Sequence, residues 1–255
     1  MAMIRVDLNC DMGESFGIHK LGVDEEVIKY VSSANIACGF HAGDPVWMRR
    51  TVRLAEEHGV AIGAHPSYPD LAGFGRRHMD LTPEEARCDI VYQVGALQAF
   101  TRAKALQHVK PHGAMYNRAV GDAALASAIC DAMLDVDPGM VLLALAGSPW
   151  VKIAQSRGLK VAREVFADRA LNRDGTLVSR SVPGSVIHDV EEVAERSVMM
   201  VTEGKVRAVT GEDLAMEADS LCLHGDTPGA VDMARVVRRE LEAAGVEIVP
   251  LGKIV

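Results

Sequence analysis

The chain has 255 residues, 49% hydrophobic and 24% charged, a balance inside the globular range and far from intrinsic disorder. Its formal charge of −8 excludes the basic footprint that non-specific nucleic-acid binding requires. The longest apolar stretch, 140–146, falls far short of the roughly 20 residues of a bilayer-spanning helix, so no membrane partner is expected.

In chain order, the first apolar run predicts a strand over 3–9 that leads into Asp11, Gly13 and Glu14. The two-residue period of a strand puts Asp7, Asn9 and Asp11 on one face. Each would cost roughly 2–7 kcal/mol to bury unpaired, so together they point to a polar cavity. A weak helix fits 24–33, and a second strand over 34–38 closes on Asn35, Cys38 and His41. Cys38 beside His41 has the makings of a nucleophile, but a small buried thiol packing as a hydrophobe is the favoured reading. Asp44-Pro45 supplies a cap and a first-turn proline for a helix to about residue 58. A third strand over 60–64 closes on His65. After it, Gly73-Phe74-Gly75-Arg76-Arg77 forms a basic loop suited to a carboxylate or phosphate.

Thr82-Pro83-Glu84-Glu85 is a capping box opening a long helix to about 106. The fourth strand, 107–111, brings Lys110 and His112 to one face at its end, where a lysine of lowered pKa can bind an anion or carry a proton. Helices over 121–134 and 148–157 flank a strand at 140–145. A strand at 159–166 ends on Glu164, Asp168 and Arg169, followed by a turn-rich excursion over 168–188. A helix over 189–203, a small strand and turn over 206–213, and a strand at 219–223 ending on His224 and Asp226 complete the series. Thr227-Pro228 opens a last helix to 239–244, and 247–250 is a candidate eighth strand.

Strict alternation of strands and helices implies a parallel sheet with helices outside. Polar clusters at the same end of successive strands imply closure into a seven-stranded β/α barrel with its chemistry at the carboxyl ends, a single domain over 1–255. A nearly closed barrel or a doubly wound open sheet is the alternative, though an open sheet would not gather residues from every strand into one site. The five scattered cysteines show no C-x-x-C spacing, and the N-terminus has no apolar signal core, so reduced thiols and a cytoplasmic location are expected. His19, His58, His78, His108 and His188 read as surface or structural. Asp11, His41 and His65 make an Asp-His-His set, but neither H-E-x-x-H nor H-x-x-E-H occurs, and no tightly bound protein metal is expected. G-x-x-x-x-G-K-[ST] and a strand-linked G-x-G-x-x-G are both missing from the sequence.

Six elements in order, DLNCDMGESFG, NIACGFHAGDP, GAHPSYPDLAGFGRR, VKPHGAMYN, EVFADRALNRDGTLVSR and LCLHGDTPGAV, resemble the LamB/YcsF family across residues 5–231. The resemblance implies a seven-stranded α/β barrel of the glycoside hydrolase/deacetylase type. It also implies ATP-dependent opening of 5-oxo-L-proline to L-glutamate, in a complex of this chain with subunits B and C. Mg2+ would accompany ATP, whose site would lie on or be shared with a partner chain; a homo-oligomer is left open. In that setting Asp11, Glu14, Asp168 or Asp226 would activate water, and His41, His65, His112 or His224 would carry protons. Arg76, Arg77, Lys110 or Arg169 would hold the substrate carboxylate or a phosphorylated intermediate, with Asp7, Asn9, Asn35 and Glu164 completing the substrate pocket. Two other readings stay open: a stand-alone metal-dependent deacetylase or amidohydrolase, and a non-catalytic carbohydrate- or lactam-binding subunit.

Overall fold

In the computed structural model, which describes residues 3–225 and 229–255, the first apolar run becomes β1 (Arg5–Met12). There follow α1 (Asp24–Val27), β2 (Ser33–Ala37), α2 (Pro45–His58), β3 (Ala61–His65), α3 (Pro83–Gln98) and β4 (His108–Val109). Next come α4 (Gly113–Ala119), α5 (Ala123–Val136), β5 (Val141–Leu145), α6 (Pro149–Ser156), β6 (Lys160–Phe166) and α7 (Val190–Glu203). The hairpin β7 (Lys205–Arg207) and β8 (Asp213–Ala215) precedes β9 (Ser220–His224), α8 (Ala230–Ala243) and β10 (Glu247–Ile248).

Strands β1, β2, β3, β4, β5, β6 and β9 pair in parallel in that order, and β9 returns to β1. The barrel is closed with seven staves. The candidate eighth strand pairs only with the first residues of β1, Arg5↔Glu247 and Val6↔Ile248, outside the ring. Register then fixes depth: Asp11 stands level with Asn35 on one side and His224 on the other. Ala37 stands level with His65.

Local signals set the helix ends. Asp44 accepts hydrogen bonds from the Val46 and Trp47 amides at 2.8 and 2.9 Å, and Gly59 closes α2 in the left-handed conformation. The Thr82/Glu85 capping box is formed. α3 stops at Gln98 rather than near 106, because residues 99–104 turn back and Thr101 Oγ1 donates to the Gln98 and Ala105 carbonyls. The seven-residue α4 is too short to leave a periodic signature and was not expected.

Apolar residues of β1 (Val6, Leu8, Cys10) join the main hydrophobic core. The alternate face carries Asp7, Asn9 and Asp11, and polar groups fill part of the barrel axis. Asp7, Asn9, Ser33, Asn35, His108, Glu164 and Ser220 are all fully buried there. Their pairing is internal: Ser33 and Ser220 donate to Asp7 at 2.6 Å each, Ser32 at 2.7 Å, and Asn9 donates to Ser220 at 2.7 Å. Asn35 donates to Asn9 at 2.7 Å and to Asp11 at 2.8 Å. The His108 ring lies directly over Gly63, where a Cβ would fall 2.1 Å from Nε2, and that nitrogen bonds Asn35 Oδ1 at 2.7 Å. His108 is therefore a structural interior group, with its basicity lowered to a pKa of about 3 by burial.

Candidate active site

A cavity of about 470 Å³ opens at the carboxyl ends of the strands. Its floor is Lys110, 3% exposed, at the end of β4. The Lys110 ammonium lies 2.9 Å from Glu164 Oε1, 3.1 Å from Asp11 Oδ1, 3.0 Å from Cys222 Sγ and 3.3 Å from Asn9 Oδ1. Burial works to lower its pKa, but Asp11 and Glu164, with Cys222 Sγ accepting a hydrogen bond, outweigh burial and hold it well above normal. The lysine is thus a fixed cation, not the proton carrier of lowered pKa that its position suggested. Asp11, its partner, is kept well below the usual carboxylate range: His65 and Lys110 override the opposing effect of burial. Cys222 stays a thiol because burial pushes its pKa well up.

Three histidines and a glutamate form one wall. Gly13, at φ +71°, ends β1 in a turn that delivers Glu14 to the rim, where a Cβ on residue 13 would sit 3.1 Å from Ile36 and Thr51. His41, from the loop after β2, stacks flat on His112 with centroids 3.8 Å apart, and its Nε2 is 3.2 Å from Glu14 Oε1. His65 Nδ1–H donates to the Lys110 carbonyl at 2.6 Å, and His112 Nε2–H donates to the Phe74 carbonyl at 2.9 Å. Burial and neighbouring histidines push His41 and His112 well below normal imidazole pKa values. Gly75 at φ +63° passes close over this cluster; a Cβ there would fall 2.8 Å from His41 and 2.9 Å from His112.

Opposite them, buried Asp168 accepts from His224 Nδ1–H at 2.8 and 2.9 Å, leaving Nε2 of His224 toward the cavity it lines. Against the effect of burial, His224 holds the Asp168 carboxyl below its usual range. Arg169 also lines the cavity, yet its guanidinium braces the excursion: it donates to the Ser185 carbonyl at 3.2 Å and the Val178 carbonyl at 2.6 Å. Burial and Arg180 lower its pKa to about 10.

Of the sixteen residues expected at the site, Asp11, Glu14, His65, Arg76, Lys110, His112, Arg169 and His224 line the cavity. His41 and Asp168 back it from behind. Asp7, Asn9, Asn35 and Glu164 lie in the polar axis beneath it, with Asn9 and Glu164 touching Lys110. Arg77 turns away to Asp70, donating from Nε at 2.9 Å, with a side chain 67% exposed. Asp226 lies outside the described residues. Arg180, Tyr116 and Phe74 line the cavity without having been singled out, although all three sit inside the polar-tipped elements noted in the sequence. His78, read as surface or structural, stands at the cavity edge. Buried Cys38, by contrast, packs as a small hydrophobe, its thiol pushed by burial to a pKa of about 12.

Among the described residues, two groups of donors converge closely enough to hold a metal ion: Glu14, His41, His65 and His112, and Asp11, Cys222 and His224. The Lys110 ammonium already stands between Asp11 and Cys222 in the second group.

A closed parallel barrel with such a rim is the seven-stranded barrel of the glycoside hydrolase/deacetylase type. T48 deacetylase shares the fold at a TM-score of 0.50 and 14% identity, over 99% of this chain and 90% of that one. The chain belongs to the LamB/YcsF family, whose model matches residues 6–255. It is 59% identical over 254 residues to the 5-oxoprolinase A subunit of Thermococcus onnurineus (strain NA1), covering 99% of this chain and 100% of that one. To the 5-oxoprolinase A subunit of Clostridium beijerinckii it is 54% identical, again over 99% and 100%. It superimposes on the lactam utilization protein of Thermus thermophilus at a TM-score of 0.91 and 51% identity, over 96% and 99% of the two chains.

Proposed function

We propose that the protein is the A subunit of a cytoplasmic 5-oxoprolinase that opens 5-oxo-L-proline to L-glutamate with hydrolysis of ATP, together with subunits B and C. The reading is carried by full-length identity of 54% and 59% to proteins named as A subunits of 5-oxoprolinase. The cavity is also chemically suited to an anionic lactam. ATP, with Mg2+, is read as bound on or shared with a partner chain, since this chain has neither phosphate-loop motif.

A lactam is a poor electrophile. Transfer of the γ-phosphoryl group of ATP to its oxygen releases ADP and makes the ring carbon attackable. Water then adds to that carbon, and the ring C–N bond breaks with a proton delivered to nitrogen, leaving an acyl phosphate. A second water releases phosphate and the side-chain carboxylate. The sum is 5-oxoproline, ATP and two waters giving glutamate, ADP and phosphate. The Asp168–His224 pair suits the proton work: Asp168 fixes the His224 tautomer, so Nε2 can take a proton from water and return it to the leaving nitrogen. Lys110, its pKa held up on the floor by Asp11 and Glu164, suits stabilising oxygen anion developing at the reacting carbon. Arg76 at the rim suits the substrate carboxylate.

The test is glutamate release from 5-oxoproline and ATP with this chain alone, with subunits B and C alone, and with all three. Glutamate only from the full mixture is the expected result. Release by this chain alone without ATP would overturn it in favour of a stand-alone amidohydrolase.

A further inference from the structure

Two arginines of one cavity wall stand without a carboxylate partner. Arg169 follows Asp168 just after β6, Arg180 lies further along the 168–188 excursion, and both line the cavity. The excursion folds back on itself through the bridges Arg169↔Val186 and Leu171↔Leu177, and the Val178 amide donates to the Ala170 carbonyl at 3.0 Å. Arg169 is 5% exposed; its Nε donates to the Ser185 carbonyl and its Nη2 to the Val178 carbonyl, which brings the guanidinium close to Arg180 in the chain. Among the described residues neither arginine makes an ion pair, and Arg169 Nη1 has no protein partner. Asp168, whose charge also reaches them, is committed to His224. Burial, reinforced by the charge of Arg180, brings the Arg169 pKa down to about 10. Setting a buried guanidinium near a second cation is costly, and an anion drawn from the cavity would offset that cost.

We propose that Arg169 Nη1 and the Arg180 guanidinium together hold the phosphoryl group of the activated lactam, and that inorganic phosphate leaves from the same place. The inference rests on the oxoprolinase reading and adds a phosphoryl subsite to it. The chemistry selects the anion. The phosphorylated oxygen is bonded to the carbon that water attacks, so the phosphoryl group lies beside the base that activates this water. His224 is that base, its Nδ1 held by Asp168, and Arg169 is the next residue in the chain. The substrate carboxylate lies on the other side of the ring nitrogen and is assigned to Arg76, which comes from the loop after β3 rather than β6. Two guanidiniums match the charge of about −2 on a phosphoryl dianion, whereas a carboxylate would balance only one. The planar fork of arginine also suits phosphate oxygens. Since phosphorus stays attached through ring opening, the phosphorylated lactam, the acyl phosphate and free phosphate occupy the subsite in turn.

The full-length chain, without ATP or partner subunits, should be titrated with inorganic phosphate by calorimetry as wild type, Arg180→Gln and Arg180→Lys, with acetate as a competitor. The expected result is one phosphate per chain, bound at least about tenfold more weakly by Arg180→Gln and only partly restored by Arg180→Lys. Acetate should compete at least about tenfold less well than phosphate. Arg180 is half-buried and braces no backbone carbonyl among the described residues, so its replacement leaves the excursion in place, which circular dichroism checks. Folded wild-type protein that takes up no phosphate at millimolar concentration would overturn the proposal, as would unchanged affinity in Arg180→Gln. Acetate binding as well as phosphate would make this a carboxylate site and overturn it too. Phosphate binding is read here without catalysis, so it stands or falls separately from glutamate release by the assembled subunits.

Discussion

Single side chains here work in pairs, and removing one partner exposes what the other was doing. Asp168→Asn would keep the shape but let His224 adopt the wrong tautomer. The expected outcome is a fall of roughly 10²–10⁴-fold in the turnover of glutamate release by the assembled enzyme, with KM little changed. Steady-state kinetics of the variant complex checks this. Asp7 shows the penalty of a buried carboxylate. Burial raises its pKa from 3.8 to about 6 despite three serine donors. Because the folded state holds that proton more tightly than the unfolded chain, stability falls as pH rises from about 4 to about 6 and is level above. The loss on account of Asp7 is roughly 3 kcal/mol, at about 1.36 kcal/mol per pKa unit. Asp24, also raised to about 6, adds a decline of the same sign. Urea midpoints between pH 4 and 7 should therefore fall more steeply in the wild type than in Asp7→Asn.

At the scale of elements, the site is held by loops whose backbone takes conformations that only small residues adopt readily. Gly75 joins the basic loop to the histidine wall at φ +63°, and the amide of Ala114 at the start of α4 donates to its carbonyl at 2.9 Å. Gly75→Ala would cost roughly 1–2 kcal/mol for left-handed backbone. Its Cβ would also press within 2.3 Å of Ser67 Oγ and 2.8 Å of His41. The expected outcome is a lowered thermal midpoint by scanning calorimetry together with lost activity, since the wall must shift to make room. α4 itself shows why short elements escape sequence reading: seven residues complete too few turns to display a period, and the tertiary contact with Gly75 places it.

For the whole molecule, closure of the sheet puts β9 against β1 and leaves no free edge among the seven staves. The barrel and the helices packed around it bury Cys10, Cys38, Cys130 and Cys222, while Cys88 alone of the five lies exposed on α3. One thiol should react promptly with an aromatic disulfide reagent in native protein, and five in denaturant. Rapid reaction of two or more in native protein would contradict this packing of barrel and helices. No helix among the described residues is long and apolar enough to cross a membrane.

Much of this architecture could be read from residue order, because local chemistry fixed it. The alternation of short apolar runs with capped helices specified a parallel barrel, and Asp44-Pro45 and Thr82-Pro83 specified helix starts. Two-residue periodicity put Asp7, Asn9 and Asp11 on one face. Depth, by contrast, came only from register: Asp7 and Asn9 share that face with Asp11, yet hydrogen bonding to Ser32, Ser33 and Ser220 keeps Asp7 under the cavity. Direction was likewise tertiary, for Arg76 and Arg77 are neighbours in sequence, but Asp70 draws the second away while the first lines the rim. Protonation followed the same rule. A lysine at a strand end can serve as base or cation, and only the enclosing Asp11, Glu164 and Cys222 made Lys110 a fixed charge. Sequence determines which groups are available at each strand end, since covalent order and period are local. The three-dimensional packing decides what each group faces, since burial and charge act through space.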